Sequence, residues 1–286
     1  MGDRSPRRGL ARLLAVLCGL LAAGAVAGAV ALATRGPAAP TTTVAGTPAP
    51  ATRTGAGETW SDLHREMEAR AAAARARRAA ERKAAEEKAA AAKAEALKLE
   101  PGEKGPRVHR LQDRLVSWKM LRPDQADGNY GDATQAAVMA FQKAAGIDRD
   151  GIDGPKTQKA IDAGIPAPQP FSDGGGDRVE VSLSKQLAQI VKHGEVTRVI
   201  SISSGRPGFD TPTGRFAVYL KDPNAYSKKY DAPMPLASFF TGSYGLHQSA
   251  DVPGYAASHG CVRIPAAFAG EVYDFAGMGT PVVIVS

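Results

Sequence analysis

Ser258-His259-Gly260-Cys261-Val262-Arg263, with His247 standing upstream, is the stretch from which the whole chain can be read. Cys261 is one of two cysteines, and the other, Cys18, lies in an apolar N-terminus. A thiol in a chain with an export-type leader is exposed to oxidation, and chemical reactivity is a reason to keep it. A cysteine nucleophile needs a base or a depressed pKa, and donors for the oxyanion. His247 and His259 are candidate bases, at hand to make Cys261 a thiolate. Gly260 lets the backbone turn closely, so that the amides near Gly260 and Cys261 can point at one oxygen. Arg263 offers a planar cation to a substrate carboxylate. Together these residues describe acyl transfer through a thioester. The ordinary alternatives are a buried small cysteine, satisfied histidines and a surface ion pair at Arg263. One cysteine and two histidines make a poor zinc site, so no metal is expected, and no cofactor motif is present.

Around this stretch the pattern is β. Arg178-Val179-Glu180-Val181-Ser182-Leu183 alternates, and Leu187 to Val191 and Val196 to Ile202 follow between turn residues. Thr213-Gly214-Arg215 leads into Phe216 to Leu220. Residues 221–243 are polar and irregular, and read as a lid or substrate loop. Tyr244 to His247 is a short strand, Ala266 to Ala276 a helix, and Pro281 to Val285 a last strand. Residues 178–286 are therefore expected to form a mostly-β sandwich or barrel with one helix.

Upstream, 167–177 reads as a Pro/Gly-rich linker. Residues 101–166 predict a small all-α domain of three helices. Val108, Leu111 and Leu115 share one helical face. Asp132 is placed to cap a second helix, with Gln135 three residues on and Ala137, Val138 and Phe141 inward. Gly154-Pro155 opens a third. Residues 58–100 are rich in Ala, Glu, Lys and Arg, with no Pro or Gly, and predict a solvated helical stalk with ion pairs among Glu81, Lys83, Glu86, Glu87 and Lys88. Large apolar residues at heptad positions are missing, which argues against a strong coiled coil. Residues 36–57, rich in Pro, Thr, Ala and Gly, are an expected extended linker. Residues 1–35, with Arg4, Arg7, Arg8 and Arg12 before an uncharged apolar run, read as a signal peptide or membrane anchor.

The 286 residues carry a formal charge of +7. This suits a wall polymer rich in carboxylates and phosphates. Nucleic acid is a poor partner, because the basic residues lie mostly in the tail and stalk of an exported chain.

Two families are resembled. Val108-x-x-Leu111-Gln112-x-x-Leu115, Asp127-Gly128-x-Tyr130-Gly131-x-x-Thr134, Ala137-Val138-x-x-Phe141-Gln142 and Asp150-Gly151-Ile152-Asp153-Gly154-Pro155-x-Thr157 are similar to the three-helix peptidoglycan-binding domain, which implies binding to cell-wall glycan or stem peptide. His247, the Ser258–Arg263 run and Thr211-Pro212-Thr213-Gly214 resemble the L,D-transpeptidase catalytic domain. That resemblance implies Cys261 as nucleophile, His247 as its base, and the main-chain carbonyl of Gln248 as what orients the base. It implies Ser258, His259 and Gly260 as the turn around the oxyanion site, and Arg263 near the substrate. The implied reaction removes D-Ala from a tetrapeptide stem and forms a 3→3 cross-link; carbapenems are expected to acylate the same cysteine. Gln248 stands where the family commonly has glycine, and the His247–Ser258 spacing is short, so acceptor geometry is the open point. An L,D-carboxypeptidase and a non-catalytic wall anchor are the alternatives. The expected location is the cell envelope, with the chain anchored in the membrane through its N-terminus or secreted into the wall.

Overall fold

The computed structural model describes residues 59–286. The leader or anchor, Cys18 and the first linker lie outside these residues. Among the described residues no helix is long and apolar enough to cross a membrane.

Helix α1 (Trp60–Leu97) is the stalk. No residue of it is buried, so its regularity comes from alanine propensity and i,i+4 pairs such as Arg77–Glu81 at 2.8 Å and Lys83–Glu87 at 3.9 Å. Each exposed pair contributes only about 0.3–0.5 kcal/mol. The helix ends before Pro101-Gly102, because Leu99 turns into the core, 5% exposed. Leu99 exchanges main-chain hydrogen bonds with Asp153 at 3.1 and 2.9 Å. The small domain thus starts a little before the expected residue 101.

That domain holds α2 (Pro106–Ser117), α3 (Asp132–Ala145) and α4 (Pro155–Ala163). Asp132 is the first residue of α3, not its cap; Gly131 takes the cap position without a side-chain bond. Two buried glutamines clasp the loops between the helices in the same way. Gln112 Nε2 donates to Asp127 Oδ1, the Asn129 carbonyl and Thr134 Oγ1, while its Oε1 accepts from the Gly128 amide. Gln142 repeats the set with Asp150 Oδ1, the Ile152 carbonyl, Thr157 Oγ1 and the Gly151 amide. Each amide side chain is saturated by its loop, which explains how a glutamine sits in a core.

The β domain has two sheets. Strands β1 (Arg178–Ser182), β2 (Leu187–Lys192), β3 (Glu195–Ser201), β4 (Gly214–Ala217) and β9 (Pro281–Val285) form one, in the order β3-β2-β1-β9-β4. Strands β5 (Leu220–Ser227), β6 (Ala232–Thr241), β7 (Tyr244–Ser249) and β8 (Val262–Pro265) form the other, in sequence order. Phe216 of β4 and Phe240 of β6 meet across the core with ring centres 5.4 Å apart. Helix α5 (Ala266–Phe275) packs Phe268, Ala269 and Val272 inward.

Two expectations change here. Residues 221–243 are an antiparallel hairpin, not an irregular loop. β7 pairs with β6 only over Ser238–Thr241, so the outer part of the hairpin has no third strand. That is where Pro233 and Pro235 are tolerated, since no neighbour needs their missing N–H. Residues 167–177 are no free linker. All five residues of β1 are buried, because Arg178 and Glu180 pair at 2.8 Å beneath this segment. Glu180 also accepts the amides of Phe171 and Ser172, and Arg178 donates to the carbonyls of Ser172 and Gly176.

The helical and β domains are welded. The Val199 amide donates to the Lys119 carbonyl, Arg198 donates to the Leu121 carbonyl and pairs with Glu271, and Lys143 of α3 donates to Ser201 Oγ and the Ile202 carbonyl.

Candidate active site

Parallel pairing of β7 with β8 sets His247 opposite Arg263. Cys261, in the bend just before β8, lines the same cavity as both. That cavity, of about 540 Å³, is roofed by the β5–β6 hairpin and lined by Tyr230, Met234, Tyr244, His247, His259, Cys261 and Arg263.

The turn ahead of Cys261 is over-determined. Gly260 has φ 115°, and a Cβ there would lie 2.3 Å from a Tyr244 ring carbon. Ser258 Oγ accepts the Gly260 amide at 3.0 Å and donates to the Cys261 carbonyl. Thr211 Oγ1 donates to the Gly260 carbonyl at 2.7 Å and accepts the Gly205 amide at 2.9 Å. The Ser258 amide donates to the Ser204 carbonyl at 2.9 Å. The Gly260 amide is therefore spent inside the turn and does not aim at the cavity beside the Cys261 amide, as the sequence reading expected. Ser204 and Gly205 went unassigned in that reading; the Ser-Ser-Gly that follows a β-type run was their only signal.

His247 is 8% exposed, and its Nδ1 lies 2.8 Å from the Gln248 carbonyl oxygen. A carbonyl only accepts, so Nδ1 carries the proton and Nε2 has a free lone pair. Only main chain of Gln248 is used, so glutamine in place of glycine leaves this bond intact. Burial lowers the His247 pKa below its usual 6.5, Arg263 adds to the shift, and the Gln248 carbonyl opposes it. The half-buried Cys261 thiol lies 3.5 Å from the Ser243 carbonyl. Burial pushes its pKa above 9.0, against the pull of the Gly245 amide and Arg263. Both shifts favour the neutral forms, thiol and imidazole, over the ion pair.

His259 turns elsewhere. Its ring stacks on Tyr230 with centres 4.0 Å apart and meets Phe209 edge-on at 4.9 Å. Its Nε2 lies 2.8 Å from Arg206 Nη2 and so accepts. Desolvation and then Arg206 lower its pKa. Of the two candidate bases, His259 already spends its accepting nitrogen on Arg206, while His247 keeps its basic lone pair on Nε2. Arg263 Nη1 is held by Asp251 Oδ2 at 2.7 Å, which fixes the guanidinium but takes part of its donor capacity. Among the described residues no group of three His, Cys, Asp or Glu side chains could hold a metal.

Comparison with known proteins agrees with this geometry. Residues 176–284 match the YkuD family, the L,D-transpeptidase catalytic domain, and residues 104–161 match a putative peptidoglycan binding domain. A crystal structure of an L,D-transpeptidase from Xylanimonas cellulosilytica is similar over 65% of this chain and 96% of that one, at 41% identity and a TM-score of 0.60. The chain belongs to the L,D-transpeptidase family. Shorter similarities reach a probable N-acetylmuramoyl-L-alanine amidase of Bacillus licheniformis, 50% identical over 66 residues, and a zinc D-Ala-D-Ala carboxypeptidase of Streptomyces albus G, 43% identical over 64 residues. The first covers 23% of this chain and 19% of the amidase, the second 22% and 25%. The chain thus spans about a fifth to a quarter of the length of these curated relatives. Peptidoglycan is the substrate that both of its domains imply.

Proposed function

We propose that the protein forms 3→3 cross-links between peptidoglycan stems through a thioester on Cys261. The observation that carries this is the cavity lined together by Cys261, His247 and Arg263, with His247 Nδ1 committed to the Gln248 carbonyl so that Nε2 keeps the basic lone pair. As the sulfur attacks the carbonyl before the terminal D-Ala of a donor stem, the thiol proton passes to His247 Nε2. The amide C–N bond then breaks, and His247 returns that proton to the departing D-Ala amine. An acceptor amine, giving its proton to His247, attacks the thioester and frees the Cys261 thiol. Neutral starting partners suit this sequence, because His247 acts as a general base only in the transition state. Arg263, already oriented by Asp251, pairs with a stem carboxylate. Ser258 and Gly260 hold the turn, and the side chain of His259 supports the roof over the cavity. The proposed location is the cell envelope, reached through the N-terminal segment.

The test incubates the full chain with disaccharide-tetrapeptide and reads products by mass spectrometry. A dimer short of one D-Ala supports the reading. Release of D-Ala without dimer, in the presence of acceptor amine, would instead make the protein a carboxypeptidase.

A further inference from the structure

Gly254 lies in the short segment, 248–257, that joins His247 to Ser258. It is buried, and its φ is outside the positive range that calls for glycine. Space is what calls for it. A Cβ at Gly254 would lie 2.7 Å from Arg149 Cβ, 2.8 Å from the Arg149 carbonyl oxygen and 3.4 Å from Met139 Sδ. Met139 belongs to α3, and Arg149 to the loop between α3 and α4, so this segment rests directly on the helical domain. Arg149 Nη1 also donates to the Gly254 carbonyl at 3.1 Å. Arg149 itself is presented from a tethered loop. Asp148 Oδ2 accepts from Lys156 at 2.6 Å, and Asp150 exchanges two hydrogen bonds with the Gln142 side chain.

Little slack separates this dock from the active site. Three residues before Gly254, Asp251 holds Arg263 Nη1 through Oδ2 at 2.7 Å. Between them Pro253 has a fixed φ, and a residue before proline, here Val252, favours extended backbone. On the other side, Ser203 Oγ donates to the Tyr255 carbonyl at 2.7 Å and accepts the Ala257 amide at 3.1 Å. A displacement at Gly254 therefore passes to Asp251, the residue that aims Arg263. We propose that Arg149 is a positioning residue for the active site: by seating Gly254 it holds Asp251 against Arg263, so the helical domain sets part of the subsite for a stem carboxylate. This rests on the reading of Arg263 as the carboxylate's partner, and adds to it a residue from the domain that lies outside the catalytic cavity.

The test uses the full chain, with initial rates of release of the terminal residue from the tetrapeptide stem and from the same stem with its carboxylates amidated. Gly254→Ala, which must lift the segment from Arg149, should raise KM for the free stem about tenfold with kcat within about twofold, the pattern of lost uniform binding. Arg149→Ala, a change at an exposed side chain, should raise it about fivefold, the scale of one hydrogen bond. Neither variant should alter KM for the amidated stem, which has no carboxylate to place. Because Arg149 acts through Asp251, adding Arg149→Ala to Asp251→Ala should cost nothing further. An unchanged KM, an equal rise for both stems, a fall in kcat alone, or losses that multiply in the double variant would each overturn the proposal. Deuterium exchange in residues 250–257 should rise in both single variants while β1 and β2 keep wild-type exchange, and unchanged exchange in 250–257 overturns the proposal as well. That readout needs no turnover. A wild-type chain that releases no D-Ala would sink the transpeptidase reading, with the exchange comparison still deciding for or against the Arg149 dock.

Discussion

Gln248 supplies a carbonyl and nothing else to His247, so its side chain is free to vary while the base stays aimed. The same main-chain logic governs Gly260, whose φ of 115° and contact with Tyr244 leave no room for a Cβ. Gly260→Ala should lower kcat/KM by at least about a hundredfold, since a shift of about 1 Å at the nucleophile has that scale of effect. Circular dichroism of the same preparation should remain native. The pKa directions give a second expectation. Catalysis needs neutral His247, whose folded pKa lies below 6.5, and the starting thiol stays protonated to above 9.0. The kcat/KM profile for D-Ala release should therefore rise through a midpoint below 6.5 and stay level to about pH 9. A bell centred between those values, with its alkaline limb well below 9, would indicate a thiolate–imidazolium pair instead. At this scale much of the site was legible in sequence, because the Ser-His-Gly-Cys-Val-Arg run names its own chemistry. The protonation states were not, because burial sets them and burial belongs to the tertiary structure. The fate of the Gly260 amide was equally hidden, since it depends on where Ser258 Oγ points.

The β5–β6 hairpin shows why an element can escape a sequence reading. Half-burial across its strands removes the apolar alternation that marks a strand, and its prolines look like loop residues. Partner strands rather than local propensity make it β. Strands with one face on the core, such as β1 and β9, and the three short helices were legible because their apolar spacing survives. The hairpin tip is held over the cavity by Tyr230 stacked on His259. Aromatic contacts of this kind are worth about 0.5–1.5 kcal/mol. Tyr230→Ala should raise KM about two- to tenfold for the donor stem, with kcat little changed. Unchanged KM would show that the tip takes no part in binding.

Residues Trp60–Ser286 form one compact unit, a feature the sequence hides, because 167–177 has linker composition and the buried Arg178–Glu180 pair beneath it reveals it as a strap. Lys143 sits in the joint between the two domains. Burial pushes its pKa down to about 7, with Arg149 adding to the shift. The unfolded chain, with a lysine near 10.5, binds more protons than the folded one between about pH 7 and 10.5, so this group makes stability rise with pH across that window. Lys143→Met should flatten that rise in the melting temperature, and an unaltered slope would show that Lys143 stays charged in the joint. Unfolding of both domains should coincide in one calorimetric transition, since Lys143, Arg198 and Val199 bond across the joint.

The central claim is that Cys261 carries the acyl group between stems. The most direct measurement mixes the full chain with donor tetrapeptide stem, quenches in acid within the first turnovers, and reads intact mass and the labelled peptide. The account predicts an adduct equal to the stem less D-Ala, mapped to Cys261, absent from Cys261→Ala and discharged by added acceptor amine. D-Ala release by the Cys261→Ala protein, or an adduct on any other residue, would contradict it.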